Sequence, residues 1–329
     1  MKRMICMLLL PVLLSGCSAL PGEERAFAVA LSLSRQGETW EACVRIPTYQ
    51  SGGGYATLSA TGETLGQAMA GLNASAPMEL HYGQTRLVIV SRSVAERAGF
   101  AQTMAALTER DGLRGQAALA VTEDDPRRIM DVLEPTTGSR LSKSLETMLE
   151  SRQNLGVIPA ATLLDFRRCG ERRGIVLAAA RLLEEKLQLD GGWMIGSGGV
   201  VSGRLSPEEM QLLTLLQGRL KQGTLCLHDG TAAVLDAKCR LGLQGKQVLC
   251  RLEMRCVASD MTREGLTQTL EEELRGLIDT LARAGCDALG MGARAMTGCA
   301  DMAQWRELNW EKIYPALSWQ FAINVEKEI

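Results

Sequence analysis

The strongest constraint on the fold is an alternation of apolar and polar residues on both sides of a glycine-containing turn. Apolar residues are odd-numbered over positions 235–241 and even-numbered over positions 248–256. A two-residue period places them all on one face of a strand. A two-residue turn at Gln244-Gly245 would pair Cys239 with Cys250, so that each apolar residue faces an apolar partner. The segment therefore predicts an antiparallel hairpin with one buried face.

The residues after this hairpin predict a long helix and a final strand. Apolar residues recur every three or four positions from Leu266 to Leu281, the spacing of one buried helix face, and Gly285 follows as a stop. Alternation returns over residues 317–325, as in a half-buried strand. Hairpin, long amphipathic helix and C-terminal strand together predict an α+β domain over residues 225–329.

Two further segments precede this domain. Residues 17–188 mix short apolar strands with amphipathic helices, one of them expected at 61–74 with Thr61 as its N-cap, and we interpret them as an N-terminal α/β domain. Glycines then cluster between positions 190 and 203, and a helix start follows at 206–209. We expect a small middle domain over residues 189–224, which gives an α+β fold of three mixed α/β domains.

The first seventeen residues predict export. Lys2 and Arg3 precede an apolar run of ten residues, from 5 to 14, which is too short to cross a hydrocarbon core that needs about twenty in a helix. The segment Leu14-Ser15-Gly16-Cys17 resembles a bacterial lipobox. We expect residues 1–16 to be a signal peptide and Cys17 to carry the lipid that anchors the mature protein. The alternative is an ordinary secretory signal with a chance cysteine.

The composition excludes several classes of function. Lys and Arg number 36 against 38 Asp and Glu, without the basic excess that a nucleic-acid binder needs. His81 and His228 are the only histidines, so we expect neither a multi-histidine metal site nor a cofactor. No cysteine pair has the Cys-x-x-Cys spacing, and we interpret Cys239, Cys250 and Cys256 as buried apolar residues, although export permits disulfides.

No arrangement of residues indicates catalysis. Gly290-x-Gly292 follows a predicted helix, whereas a dinucleotide-binding turn follows a strand. The glycines of 196–199 lack the Gly-x-Ser-x-Gly spacing of a nucleophile elbow. A hydrolase that uses His81 or His228 remains geometrically possible, but His228 beside an expected turn is more simply solvated surface. The sequence therefore offers no catalytic constellation that rises above chance.

Several motifs, in order along the chain, resemble those of GerAC/GerBC-type spore germination lipoproteins, the C subunits of spore germinant receptors. They comprise the lipobox at 14–17, Thr61-Gly62-Glu63-Thr64-Leu65, the strand at 80–90, Thr162-Leu163-Leu164-Asp165-Phe166, the helix start at 203–209, and Cys286-Asp287-Ala288-Leu289-Gly290-Met291-Gly292 followed by Trp305 and Trp310. Residues 200–202 depart from the family's pattern because they lack its Phe.

The resemblance implies a non-enzymatic, lipid-anchored receptor subunit. Such proteins lie on the outer face of the inner spore membrane and assemble with a multi-spanning A-type subunit and a permease-like B-type subunit, which together respond to nutrients. Trp305, Trp310, Gly290 and Gly292 are candidates for a partner surface. Core packing is the alternative for both tryptophans, which do not share one helix face. The alternative function is a free-standing lipoprotein that binds a small extracytoplasmic ligand.

Overall fold

The computed structural model describes residues 25–48, 54–110, 112–135, 138–169, 174–258 and 260–328. The predicted signal peptide at 1–16 and the lipobox, which comprises Leu14, Ser15, Gly16 and Cys17, lie outside the described residues. The signal peptide and the lipid attachment at Cys17 therefore stay predictions.

The described residues between 25 and 205 form ten strands. They are β1 (Arg25–Phe27), β2 (Ala30–Gln36), β3 (Thr39–Pro47), β4 (Tyr55–Gly62), β5 (Glu79–His81), β6 (Leu87–Ser91), β7 (Ala118–Thr122), β8 (Ile175–Leu183), β9 (Lys186–Ile195) and β10 (Val201–Leu205). Eight of them form one sheet in the order β10-β9-β8-β7-β6-β2-β3-β4, while β1 and β5 pair separately. The four central neighbours β8, β7, β6 and β2 are parallel, and antiparallel strands flank them on both sides.

Helices cover both faces of this first sheet. They are α1 (Leu65–Ser75), α2 (Arg92–Ala95), α3 (Phe100–Arg110), α4 (Pro126–Asp131), α5 (Leu141–Asn154) and α6 (Leu163–Cys169). Side chains of α1, α2, α3 and α6 pack on one face, and those of α4 and α5 pack on the other. Every residue of β6 and β7 is consequently buried. Strands buried on both faces have no alternating pattern, which explains their continuous apolar sequences.

Helix α1 begins later than its sequence pattern predicts. Thr61 and Gly62 still belong to β4, where Thr61 pairs with Glu41 of β3. Thr64 is the N-cap instead: its hydroxyl accepts the Gln67 N–H at 3.2 Å, and the Gln67 side chain accepts the Thr64 N–H at 3.1 Å. The expectation that Thr61 caps the helix is wrong. The reciprocal capping box satisfies backbone N–H groups at the start of the helix, and its N-cap is Thr64, three residues after Thr61.

The C-terminal part contains a second, four-stranded sheet in the order β11-β12-β13-β14. Its strands and the neighbouring helices are α7 (Pro207–Leu216), β11 (Gly223–Leu227), β12 (Gly230–Gln244), β13 (Gln247–Val257), α8 (Arg263–Arg283), α9 (Met291–Met296), α10 (Met302–Glu307), α11 (Trp310–Ile313) and β14 (Ser318–Glu328). Helices α7 and α8 share a core with this sheet. The predicted hairpin, long amphipathic helix and final strand are confirmed, as is the α+β fold class.

The hairpin register differs from the predicted one by two residues. Leu241 pairs with Cys250, and Cys239 pairs with Leu252. The turn consists of Gly245 and Lys246, and Gly245 has a φ of +59°. A positive φ at the first of two turn residues is typical of a type II′ turn, which places the glycine first. Because the shift is even, the predicted face remains buried.

The predicted middle segment at 189–224 contributes to both sheets. Its expected boundary at 188/189 falls inside β9, and β9 and β10 complete the first sheet. Helix α7, which has the expected capping box at Ser206 and Glu209, packs into the second core. The glycines of this segment lie in strand pairs and in the turns between them, and the predicted domain boundaries stay predictions.

Candidate functional site

A turn after α8 is built around the buried carboxylate of Asp287, which is 3% exposed. Its oxygens accept the backbone N–H of Met291 at 2.8 Å and that of Gly292 at 2.5 Å, together with the indole N–H of Trp310 at 3.2 Å. A Cβ atom on Gly292 would lie 2.7 Å from the Trp310 indole nitrogen. The Asp, Gly and Trp of the motif therefore hold one another in place.

The two candidate tryptophans are buried. Trp305 is 6% exposed and Trp310 is 8% exposed, with ring centroids 6.0 Å apart. They lie on the separate helices α10 and α11, because Asn309 between them has a φ of +50° and ends the single helix that the pattern suggests. The structure corrects the expectation for both residues: their indoles pack in the core and offer almost no surface to a partner.

The same turn joins the second core to the first sheet. A Cβ atom on Gly174, just before β8, would lie 2.3 Å from the Cα of Cys286, so that the two backbones are in direct contact. The Cys286 thiol donates to the carbonyl oxygen of Ile175 at 3.7 Å, and the Tyr314 hydroxyl donates to the Cys286 carbonyl at 2.8 Å. Burial raises the pKa of the Cys286 thiol. We call the contact formed by Gly174, Ile175, Cys286 and Asp287 the seam.

An open pocket of about 590 Å³ lies beside the seam. Gly290, half-buried with a φ of +70°, is one of its lining residues and is the candidate partner residue that stays partly accessible. Arg219 follows α7, Arg240 lies on β12 and Arg294 lies on α9, and all three are exposed. Within the described residues, the lining holds no carboxylate, and none of these arginines forms an ion pair. We call it the arginine pocket.

Two thiols meet at the arginine pocket. Cys239 is half-buried and lines the pocket, whereas Cys250 is fully buried on the neighbouring strand, and their sulfurs are 3.7 Å apart. The hydrogen bond with Cys250 lowers the pKa of Cys239; burial opposes this effect, and the positive charge of Arg294 adds to it. The same hydrogen bond and burial raise the pKa of Cys250.

Neither histidine lines this pocket. His228, in the turn between β11 and β12, has its Nδ1 atom 2.7 Å from a Glu273 oxygen and its Nε2 atom 3.1 Å from an Asp229 oxygen. The hydrogen bond to Glu273 raises the pKa of His228. His81 accepts the Gly83 N–H at its Nδ1 atom at 3.3 Å. In the described part of the chain, neither imidazole hydrogen-bonds to a serine or cysteine side chain.

Among the described residues, no group of three or more His, Cys, Asp or Glu side chains is placed to hold a metal ion. No helix formed by these residues is long and apolar enough to cross a bilayer.

Sequence reasoning located the Asp287 turn as a motif but missed the arginine pocket. Its three arginines lie at positions 219, 240 and 294, so no spacing along the chain connects them. The cysteine pair was visible as two apolar strand positions, but contact between the sulfurs depends on the hairpin register.

Comparison with known proteins gives a family and a fold. Residues 21–180 match the family described as the spore germination protein N-terminal domain. The crystal structure of the GerBC protein is similar over 91% of this chain and 97% of its own, with a TM-score of 0.56 and 12% sequence identity, which shows a shared fold. No curated protein sequence matches the chain.

Proposed function

Because the chain belongs to the GerAC/GerBC-type spore germination proteins, we propose that it is a non-enzymatic, lipid-anchored subunit of a nutrient germinant receptor. The observation that carries this proposal is the family match over residues 21–180, supported by a fold shared with GerBC over most of both chains. A role in spore germination follows from the family. The lipid anchor rests on the lipobox of residues 14–17.

We propose that Cys17 attaches the protein to the outer surface of the inner spore membrane. A lipidated cysteine buries acyl chains in the bilayer, at about 0.8 kcal/mol per buried CH₂ group. Replacing Cys17 by Ala should therefore move the protein from the membrane fraction of spores to the soluble fraction and slow the germination response to nutrients. Cys6→Ala, which removes the other cysteine of the leader segment, is the matched control and should change neither. A Cys17→Ala protein that stays membrane-bound and functional would refute the anchor.

The proposed partners are a multi-spanning A-type subunit and a permease-like B-type subunit. Affinity purification of the tagged chain from spore membranes in mild detergent should recover both, and their absence from repeated preparations would count against a receptor assembly. Gly290 stays a candidate for the partner surface, because it is the accessible member of the predicted set.

The arginine pocket favours a second candidate function, a free-standing lipoprotein that binds a small extracytoplasmic ligand. A pocket of about 590 Å³ lies within the size range of small-molecule sites. Ligand binding by the purified chain alone, together with a normal germination response in a strain without the partner subunits, would favour this function over the receptor subunit.

A further inference from the structure

Cys239 and Cys250 occupy diagonal positions on the buried face of the β12–β13 hairpin. Cys239 pairs directly with Leu252, and Cys250 pairs directly with Leu241. Diagonal side chains on one face of an antiparallel pair can reach each other, and these two sulfurs are in contact at 3.7 Å. A disulfide bond is about 2.04 Å long, so the sulfurs have to approach by less than 2 Å. Both side chains already point at each other.

The two thiols differ in the way that a reactive pair requires. Cys239 is half-buried and lines the arginine pocket, whereas Cys250 is fully buried. The thiolate is the attacking species in disulfide exchange, and Arg294 together with the Cys250 thiol favours that form at Cys239. Cys250 is then placed to attack the sulfur of Cys239 from within the protein.

The pocket also selects the chemistry of the reagent. Arg219, Arg240 and Arg294 line it, and its described lining residues include no carboxylate. Guanidinium groups bind carboxylate groups well, so an anionic reagent is concentrated at Cys239 relative to a neutral one.

We propose that Cys239 and Cys250 form a dithiol that is oxidised to a disulfide by small anionic disulfides that enter the arginine pocket. In the first step, the Cys239 thiolate attacks one sulfur of the reagent RS–SR. A bond forms between Cys239 and SR, the S–S bond of the reagent breaks, and RS⁻ leaves with the electron pair. In the second step, Cys250 loses its proton to solvent and attacks Cys239 Sγ, which releases a second RS⁻. Two protein thiols are oxidised, and one reagent disulfide is reduced to two thiols.

The diagonal position gives this disulfide a particular property. Diagonal strand positions are farther apart than the direct pairs that the hairpin register defines, so the bond forms under strain. Strained and accessible disulfides are reduced more readily than structural ones. The Cys239–Cys250 bond is therefore reversible.

The test uses the full chain, purified in mild detergent and fully reduced. It is treated with 5,5′-dithiobis(2-nitrobenzoate), which carries two carboxylates, and in parallel with neutral 4,4′-dithiodipyridine. Peptide mapping by mass spectrometry should find a Cys239–Cys250 cross-linked peptide that has lost two hydrogens. Dithiothreitol should reverse it. Failure to form the cross-link, with Cys239 either unreacted or held in a stable mixed disulfide, would overturn the proposal.

Three variants assign the order of the steps. Cys250→Ala should stop the reaction at a mixed disulfide on Cys239, which adds one reagent fragment to the mass of that peptide. Cys239→Ser should leave Cys250 unmodified. Cys226→Ser removes a half-buried thiol elsewhere in the same sheet and should still form the cross-link. A Cys239→Ser protein in which Cys250 reacts as fast as before would contradict the assigned order.

The role of the pocket is tested by rates. Arg294→Gln should slow the modification of Cys239 by the dianionic reagent about threefold, because one positive charge several ångströms away is lost from a solvated site. The rate with the neutral reagent should change less. Arg251→Gln removes an exposed charge from β13 outside the lining of the pocket and is the matched control. Equal slowing with both reagents would refute the electrostatic selection.

Discussion

The two sheets of this protein differ in how they are covered. The first sheet has helices on both faces and two separate cores, so its central strands β6 and β7 are buried at every residue. The second sheet has α7 and α8 in a core on one side, and along β13 every second residue is buried while the residues between are exposed or half-buried. The comparison teaches that the same strand conformation gives two different sequence patterns, depending on the number of covered faces.

The largest expected effect tests whether these two regions unfold as one unit. Asp287→Ala should destabilise the protein by about 3–6 kcal/mol, because two buried backbone N–H groups and the Trp310 indole N–H lose their acceptor. Denaturant unfolding followed by tryptophan fluorescence measures this change. If the seam couples the regions, the transition should also split into two steps.

Asp279→Ala is the matched control for this variant. Asp279 is an exposed carboxylate on α8 and should change stability by about 0.5 kcal/mol or less. An Asp287→Ala protein that loses less than about 1 kcal/mol would show that water replaces the carboxylate, and the seam would then not hold the two regions together.

Substitutions at adjacent strand residues test whether each sheet is packed on one face or on both, and their expected effects are the next largest. Ile89 and Val90 are neighbours on β6 that belong to different cores, so Ile89→Ala should cost about 2–5 kcal/mol and Val90→Ala about 1.5–3 kcal/mol. On β13, Leu252→Ala should cost about 2–5 kcal/mol, whereas Arg251→Ala should cost about 0.5 kcal/mol or less. Thermal unfolding of the four variants makes the comparison.

The proposed difference between the sheets would be refuted if the losses of stability at Ile89 and Val90 differed as much as those at Leu252 and Arg251. A near-neutral Val90→Ala would mean that the helices on its face are loosely packed, and the first sheet would then resemble the second.

The number of sheet faces that helices cover also explains how much of the structure the sequence could predict. The hairpin, α8 and β14 were predictable because one covered face leaves a periodic pattern. The register was not, because two registers that differ by two residues bury the same side chains, and the conformation of Gly245 decides between them. In the first sheet, strands such as β6 and β7 are recognisable as apolar runs, but nothing in such runs specifies the strand order.

The candidate site also has one part that the local sequence could predict and another that depends on the folded chain. The spacing of Asp287 and Gly292 marked a motif, but its interpretation as a partner surface missed that these groups satisfy one another. Local sequence shows which residues lie in a turn, whereas the burial of Trp310 depends on helices that pack from elsewhere. The arginine pocket combines residues from three distant elements, so only the folded chain reveals it.

The smallest expected effect concerns charge at the turn between β11 and β12. The hydrogen bond to Glu273 raises the pKa of His228 in the folded protein. Such a group contributes stability below its unfolded pKa, and this contribution is lost as pH rises through the higher folded pKa. Glu273→Gln should therefore lower the melting temperature more at about pH 5.5 than at about pH 9.

Nuclear magnetic resonance titration separates this contact from general charge effects. The His228 signal should titrate at a lower pH in Glu273→Gln than in the unmodified protein, because the neutral amide no longer stabilises the imidazolium. Glu264→Gln, which removes an exposed carboxylate near the start of α8, is the matched control and should leave the His228 titration unchanged. An equal shift of the His228 signal in Glu273→Gln and in Glu264→Gln would mean that the net charge of the protein, and not the contact at the β11–β12 turn, controls the titration of His228.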